Sequence, residues 1–192
     1  MNRVLLVGDS IRLHYQPHVR TALSGQAEVT GPRENCGSSR TVRACLGQWI
    51  KSCSAGLIHI NCGLHDIRVD EPAPGVQVPL DEYAQNVEAI VRHARDHVEQ
   101  VIWATSTPIN EGLHQINKVS RRSEADLSAY NRVAVEIARA AGAQINDLWQ
   151  FVTAHGAGPI WEQDGVHFND EGYMLIGAFV ADKIRECIPQ RG

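Results

Sequence analysis

The segment Arg3-Val4-Leu5-Leu6-Val7-Gly8-Asp9-Ser10 reads as a short strand running straight into a tight turn. Its apolar residues follow one another instead of alternating, which marks a strand covered on both faces, as in a parallel sheet between helices. Residues 27–30, 57–61, 100–105 and 143–146 share that character. Amphipathic stretches at helical spacing separate them. Tyr83, Val87, Ile90, Val91, Ala94 and Val98 form one apolar stripe. Leu127, Tyr130, Ala134, Ile137, Ala138 and Ala141 form a second, with Ser123 and Asp126 set like a capping box at its start. Leu175, Ile176, Phe179, Val180 and Ile184 form a third, with Asn169 as its N-cap. Residues 39–52 make a fourth helix that turns Val42, Cys45, Leu46, Trp49 and Ile50 inward. The pattern after Ser10 is weaker, because Pro17 interrupts it.

Strands alternating with helices through right-handed crossovers build a doubly wound α/β sandwich. The expected architecture is flavodoxin-like: five parallel strands in the order 2-1-3-4-5, with helices on both faces. In such sheets ligands bind beyond the carboxyl ends of the strands, near the point where strand order reverses. The loops 8–10, 32–39, 62–79, 106–123 and 147–167 therefore share one rim.

Composition narrows the function classes. The 192 residues, 43% hydrophobic and 21% charged, suit a globular chain and exclude disordered, coiled-coil and collagen-like ones. With neither repeats nor linkers, residues 1–192 are expected to form one domain. A net charge of −4 with scattered Lys and Arg argues against a nucleic-acid partner. No apolar run approaches the roughly 18–20 residues of a membrane span. The Val4–Val7 run is too short for a signal peptide, so a cytoplasmic location is expected. Five cysteines without a Cys-x-x-Cys read as reduced thiols.

No metal site is expected. The pairs His14/His18 and His93/His97 lack a third ligand and a nearby acid, and read as helix surface. Neither Gly-x-Gly-x-x-Gly nor a Walker loop is present, so no nucleotide cofactor is expected either.

Four blocks on the rim could carry chemistry. Ser10 ends the first turn; a serine hydroxyl there is a nucleophile if a base reaches it, and equally a good helix N-cap. Asp164-Gly165-Val166-His167 lets an Asp fold back onto the ring Nδ1–H of a His three residues on, freeing Nε2 as a base. The same residues also suit an ordinary solvated loop. Between these lie Glu34-Asn35-Cys36-Gly37 and Asn61-Cys62-Gly63-Leu64-His65-Asp66, where backbone N–H groups could meet a developing oxyanion.

Together these blocks resemble the SGNH (GDSL-type) hydrolases: Gly8-Asp9-Ser10 first, Gly37 second, Gly63-Leu64-His65-Asp66 third and Asp164-x-x-His167 fifth. The resemblance runs from residue 7 to about residue 170. It implies Ser10 as nucleophile, His167 as general base and Asp164 as its orienter. It also implies an oxyanion hole from the Ser10 and Gly37 N–H groups and the third-block side chain. His65 stands where the family usually carries Asn, and a neutral imidazole still donates one N–H.

Further expectations concern the substrate. Thr107 and Trp161 are candidate pocket walls, Asp9 and Asp66 candidate contacts, and Arg121-Arg122 a candidate receiver for an anionic group within a long segment of lid or wall type. The implied activity is hydrolysis of small-molecule carboxylic esters through an acyl-enzyme, with an acetyl group on a carbohydrate or small metabolite preferred. A thioesterase or lysophospholipase is the runner-up. A flavodoxin-like binding module with Asp9 as phosphoacceptor is the rival from another class.

Overall fold

Val4 to Val7 are fully covered, as are all four residues of the third strand, and this covering on both faces makes the sheet the centre of the molecule. The computed structural model describes residues 1–72, 75–156 and 158–188. Ala73 and Pro74, within the Pro-rich stretch 70–79, and Ala157, in the loop 147–167, lie outside the described residues.

The strands are β1 (Asn2–Val7), β2 (Ala27–Thr30), β3 (Leu57–Ile60), β4 (Gln100–Ala104) and β5 (Gln144–Asn146). They form one parallel sheet in the order β2-β1-β3-β4-β5, each within a residue of its expected bounds. The helices are α1 (Ser10–Ala22), α2 (Ser39–Cys53), α3 (Leu80–His97), α4 (Glu111–Asn117), α5 (Glu124–Ala140), α6 (Leu148–His155) and α7 (Asp170–Cys187). Because β2 and β3 lie on opposite sides of β1, right-handed crossovers send α1 to one face and α2, α3 and α5 to the other. The packing agrees: α2 lies on α3, α3 on α5, and α7 returns to lie on α1.

Local readings need three corrections. Asp9, not Ser10, caps α1, its Oδ1 accepting from Ile11 N at 3.0 Å. Pro17 does not interrupt α1, which runs 13 residues because Ile11, Tyr15 and Val19 are buried on one side while Pro17 is exposed on the other. The rim segments 106–123 and 147–167 are not plain loops, since α4 and α6 fold within them. Ser123 and Asn169 cap α5 and α7 as expected.

Strand order reverses between β1 and β3. The turn holding Ser10 and the loop holding His65 therefore leave the sheet side by side.

Candidate active site

Ser10 is the first residue of α1, so its N–H has no acceptor within the helix and points outward at the helix's positive end. Its Oγ–H donates to His167 Nε2 at 2.7 Å. His167 Nδ1–H donates to Asp164 Oδ2 at 2.6 Å. Three side chains, two of them separated by more than 150 residues, thus form one continuous hydrogen-bonded chain.

The Asp164–His167 turn is built locally. Gly165, at φ +70°, takes the left-handed conformation the turn needs. Asp164 Oδ1 accepts from the N–H groups of Val166 (3.0 Å) and His167 (2.8 Å). Burial opposes ionisation of Asp164, but His167 and those backbone N–H groups outweigh it and hold the carboxyl well below the usual range. Around the turn, Glu162 N donates to His167 O at 2.9 Å, and Trp161 stacks on Phe168 with ring centroids 4.7 Å apart.

A cavity of about 370 Å³ opens at Ser10 and His167. Asp9, Asn35, His65, Arg68, Lys118 and Arg122 are among its lining residues. Burial pushes the pKa of His65 below that of an ordinary histidine, against the pull of Asp9, so the ring is neutral at pH 7. No group among the described residues hydrogen-bonds that ring, and its N–H remains available in the cavity.

Other candidates fall elsewhere. Gly37, at φ +63°, donates its N–H to Asn35 Oδ1 at 2.9 Å and is not part of the cavity lining. It reaches a substrate oxygen only by exchanging that bond. Asp66 is fully buried and turned to the start of α2, where Ser39 N–H donates to both its oxygens at 3.0 Å. Burial pushes its carboxyl up to about 6 despite those bonds. Asp66 therefore does not reach the cavity. Asp9 lines it, but one carboxylate oxygen is committed to the α1 cap. Thr107 is buried away from the cavity, and Trp161 braces the triad turn from outside it. Arg121 turns outward to Glu71 at 2.6 Å, whereas Arg122 turns in.

Sequence reasoning missed four residues. His14 is set beside the site instead of pairing with His18: its Nδ1–H donates to Ser10 O at 2.7 Å, and its ring lies 6.0 Å from that of His167. Arg12 is fully buried and donates to Gly8 O, Pro32 O and Glu34 O, tying the Ser10 turn to the loop that holds Asn35. His114, buried on α4, donates from Nδ1 to Asp164 O at 2.9 Å. Asn35 carried the one local signal available, an Asx two residues before a Gly, which favours the turn it makes.

The 106–123 segment is pinned to the triad loop as a wall. Asn110 N donates to Gly165 O at 2.7 Å and Asn117 Nδ2 to Gln163 O at 2.8 Å, beside the His114 bond.

The model of the GDSL-like lipase/acylhydrolase family matches residues 6–175. An isoamyl acetate-hydrolyzing esterase 1 homolog of Bos taurus is 28% identical over 195 residues, covering 91% of this chain and 78% of the relative. A GDSL esterase/lipase of Arabidopsis thaliana is 25% identical over 147 residues, covering 69% and 60%. Among solved structures, a lipase/acylhydrolase from Enterococcus faecalis superposes with a TM-score of 0.83 at 19% identity, covering 100% of both chains. An acetylxylan esterase from Geobacillus stearothermophilus gives 0.77 at 18% identity, covering 95% and 94%. At such identities these two structures speak for the fold alone.

Proposed function

The chain belongs to the GDSL-like lipase/acylhydrolase family and is an ester hydrolase, and from that premise we propose that it is a cytoplasmic, single-domain serine esterase for short-acyl esters. The observation that carries this reading is the hydrogen-bonded chain Ser10 Oγ–His167 Nε2 and His167 Nδ1–Asp164 Oδ2, at 2.7 and 2.6 Å.

In this mechanism Ser10 Oγ attacks the ester carbonyl carbon while its proton passes to His167 Nε2. Asp164, ionised far into the acid range, keeps Nδ1 protonated and stabilises the imidazolium as it forms. The oxyanion accepts from Ser10 N–H and the neutral His65 ring, and from Gly37 N–H once Asn35 Oδ1 is exchanged for it. The tetrahedral species collapses, the alcohol oxygen taking the proton from Nε2 as the C–O bond breaks. A water deprotonated by His167 then attacks the acyl-enzyme carbonyl carbon, the bond from that carbon to Ser10 Oγ breaks as Oγ takes the proton back from Nε2, and the carboxylic acid leaves. Proton transfer of this kind supplies about 10²–10⁴-fold and each oxyanion donor about 10²–10³-fold.

An acyl group the size of acetyl is favoured. The cavity of about 370 Å³ suits a small ester, and the Bos taurus relative is named for isoamyl acetate, an acetyl ester of a small alcohol. An O-acetyl group on a carbohydrate or other small metabolite meets these limits.

Ser10→Ala and His167→Ala should each remove hydrolysis of p-nitrophenyl acetate while the circular dichroism melt is retained. Wild-type-like turnover by either variant refutes the assignment. In a chain-length series of p-nitrophenyl esters the rate should peak at acetyl, and a peak at long acyl chains transfers the reading to a lysophospholipase-type hydrolase.

A further inference from the structure

One part of the cavity wall is basic in a chain whose net charge is −4. Arg68, from the β3–α3 loop, and Lys118 and Arg122, from the α4–α5 connection, all line it. Two of them have acidic partners: Arg68 Nη2 lies 2.7 Å from Asp70 Oδ1, and Lys118 Nζ lies 3.5 Å from Asp164 Oδ2. Arg122 does not. No carboxylate among the described residues lies within ion-pair distance of it.

Its bonds are two. Nε donates to Leu64 O at 2.7 Å and Nη1 to His114 Nε2 at 3.2 Å. A guanidinium carries five N–H donors, so three of them have no acceptor among the described residues. Burial and the neighbouring Arg68 pull the pKa of Arg122 down, and Asp9, Asp164 and Asp70, all beyond ion-pair distance, only partly offset this, so the charge is partly stripped of water without a direct counter-ion. A clamp on Leu64 and His114 alone would need neither the positive charge nor the spare donors.

The direction of the guanidinium is set from the triad loop. Burial lowers the pKa of His114, which keeps the ring neutral. Its Nδ1–H is held by Asp164 O at 2.9 Å, so Nε2 is left to accept from Arg122. Arg122 is therefore registered against Asp164 through one rigid ring.

We propose that Arg122 receives an anionic oxyacid group, a carboxylate or a phosphate, carried by the substrate a few bonds from its scissile ester. The planar fork of an arginine matches two oxygens of such a group at once. Ser10 and Arg122 line the same cavity of about 370 Å³, so one small molecule can carry both ester and anion. This rests on the serine-esterase reading above and adds the class of substrate.

The test compares matched esters. Relative kcat/KM is measured for 4-acetoxybenzoate against its methyl ester, and for 2-acetoxyethyl phosphate against 2-acetoxyethanol, each corrected for its hydroxide-catalysed rate. The wild-type enzyme should favour at least one anionic partner by about tenfold or more, and the favoured pair names the group. Arg122→Gln should reduce that ratio towards one, and Arg122→Lys should keep part of it. As a measurement without a variant, benzoate should inhibit p-nitrophenyl acetate hydrolysis competitively and at least about tenfold more tightly than benzamide. Equal treatment of charged and neutral partners by the wild-type enzyme overturns the inference, as does a preference that survives unchanged in folded Arg122→Gln. If p-nitrophenyl acetate is turned over and a fluorophosphonate labels Ser10 while the anionic partners gain nothing, this inference alone fails. If neither turnover nor labelling occurs, the esterase reading falls and takes it along.

Discussion

His65 shows how a departure from a family pattern is absorbed by its surroundings. A histidine where the family usually has asparagine matches that residue's uncharged donor only if neutral, and burial in the cavity wall favours the neutral ring. Imidazole, with one N–H, and carboxamide, with two, can then each place a neutral donor at the end of a short side chain. His65→Ala should lower kcat about 10²–10³-fold with little change in KM, whereas His65→Asn should restore most of the loss. A His65→Asn variant as slow as His65→Ala would show that the ring does something an amide cannot. The glycine at 37 teaches the converse. Its type and place match the family, but its N–H is spent on Asn35 Oδ1, which only coordinates reveal.

At the level of elements, helix ends position the chemistry. The start of α1 holds Ser10, the start of α2 holds Asp66, and the cap of α7 lies two residues beyond His167. Asn169 accepts from Gly172 N at 3.0 Å and donates to Pro159 O at 3.1 Å, joining that cap to the chain before the triad turn. Asn169→Ala should cost about 1 kcal/mol in urea denaturation, and an unchanged midpoint would remove the cap from the account. Helix α4 escaped detection because it has seven residues, contains Gly112 and buries only His114, too little to make a stripe. Helix α6 escaped for a different reason. Leu148, Trp149, Phe151 and Val152 crowd more than one side of it, so no polar face announces a helix.

Across the whole molecule, two buried titrating groups oppose each other. Burial pushes the Asp66 carboxyl up to about 6 and the His59 ring, fully covered in β3, down to about 4. Asp66 binds its proton more tightly folded than unfolded, so its contribution to stability falls as pH rises from about 4 to 6. His59 binds its proton less tightly folded, so its contribution rises over nearly the same range, from about 4 towards 6.5. Each slope approaches about 1.4 kcal/mol per pH unit, and the two nearly cancel. Denaturation at several pH values between about 4 and 6.5 should separate them. The stability of Asp66→Asn relative to wild type should rise with pH and that of His59→Leu should fall, while two flat differences would refute both shifts.

The order of the strands and of the five longer helices, the sheet topology and the two blocks carrying Ser10 and Asp164–His167 were legible in the chain itself. Burial leaves a periodic mark on sequence, and the Asp164–His167 turn closes within four residues, so neither depends on distant partners. The parts decided by the tertiary structure all involve groups whose partners lie far along the chain. Arg121 and Arg122 are adjacent and identical in type, yet one finds Glu71 and the other Leu64 and His114. Asp66 sits beside His65 but faces the start of α2, and His14 meets His167 instead of His18. Local pattern encodes which residues are covered. The direction taken by a polar side chain at the rim depends on which donors and acceptors other loops bring there, and that is settled only when the sheet gathers its loops at one end.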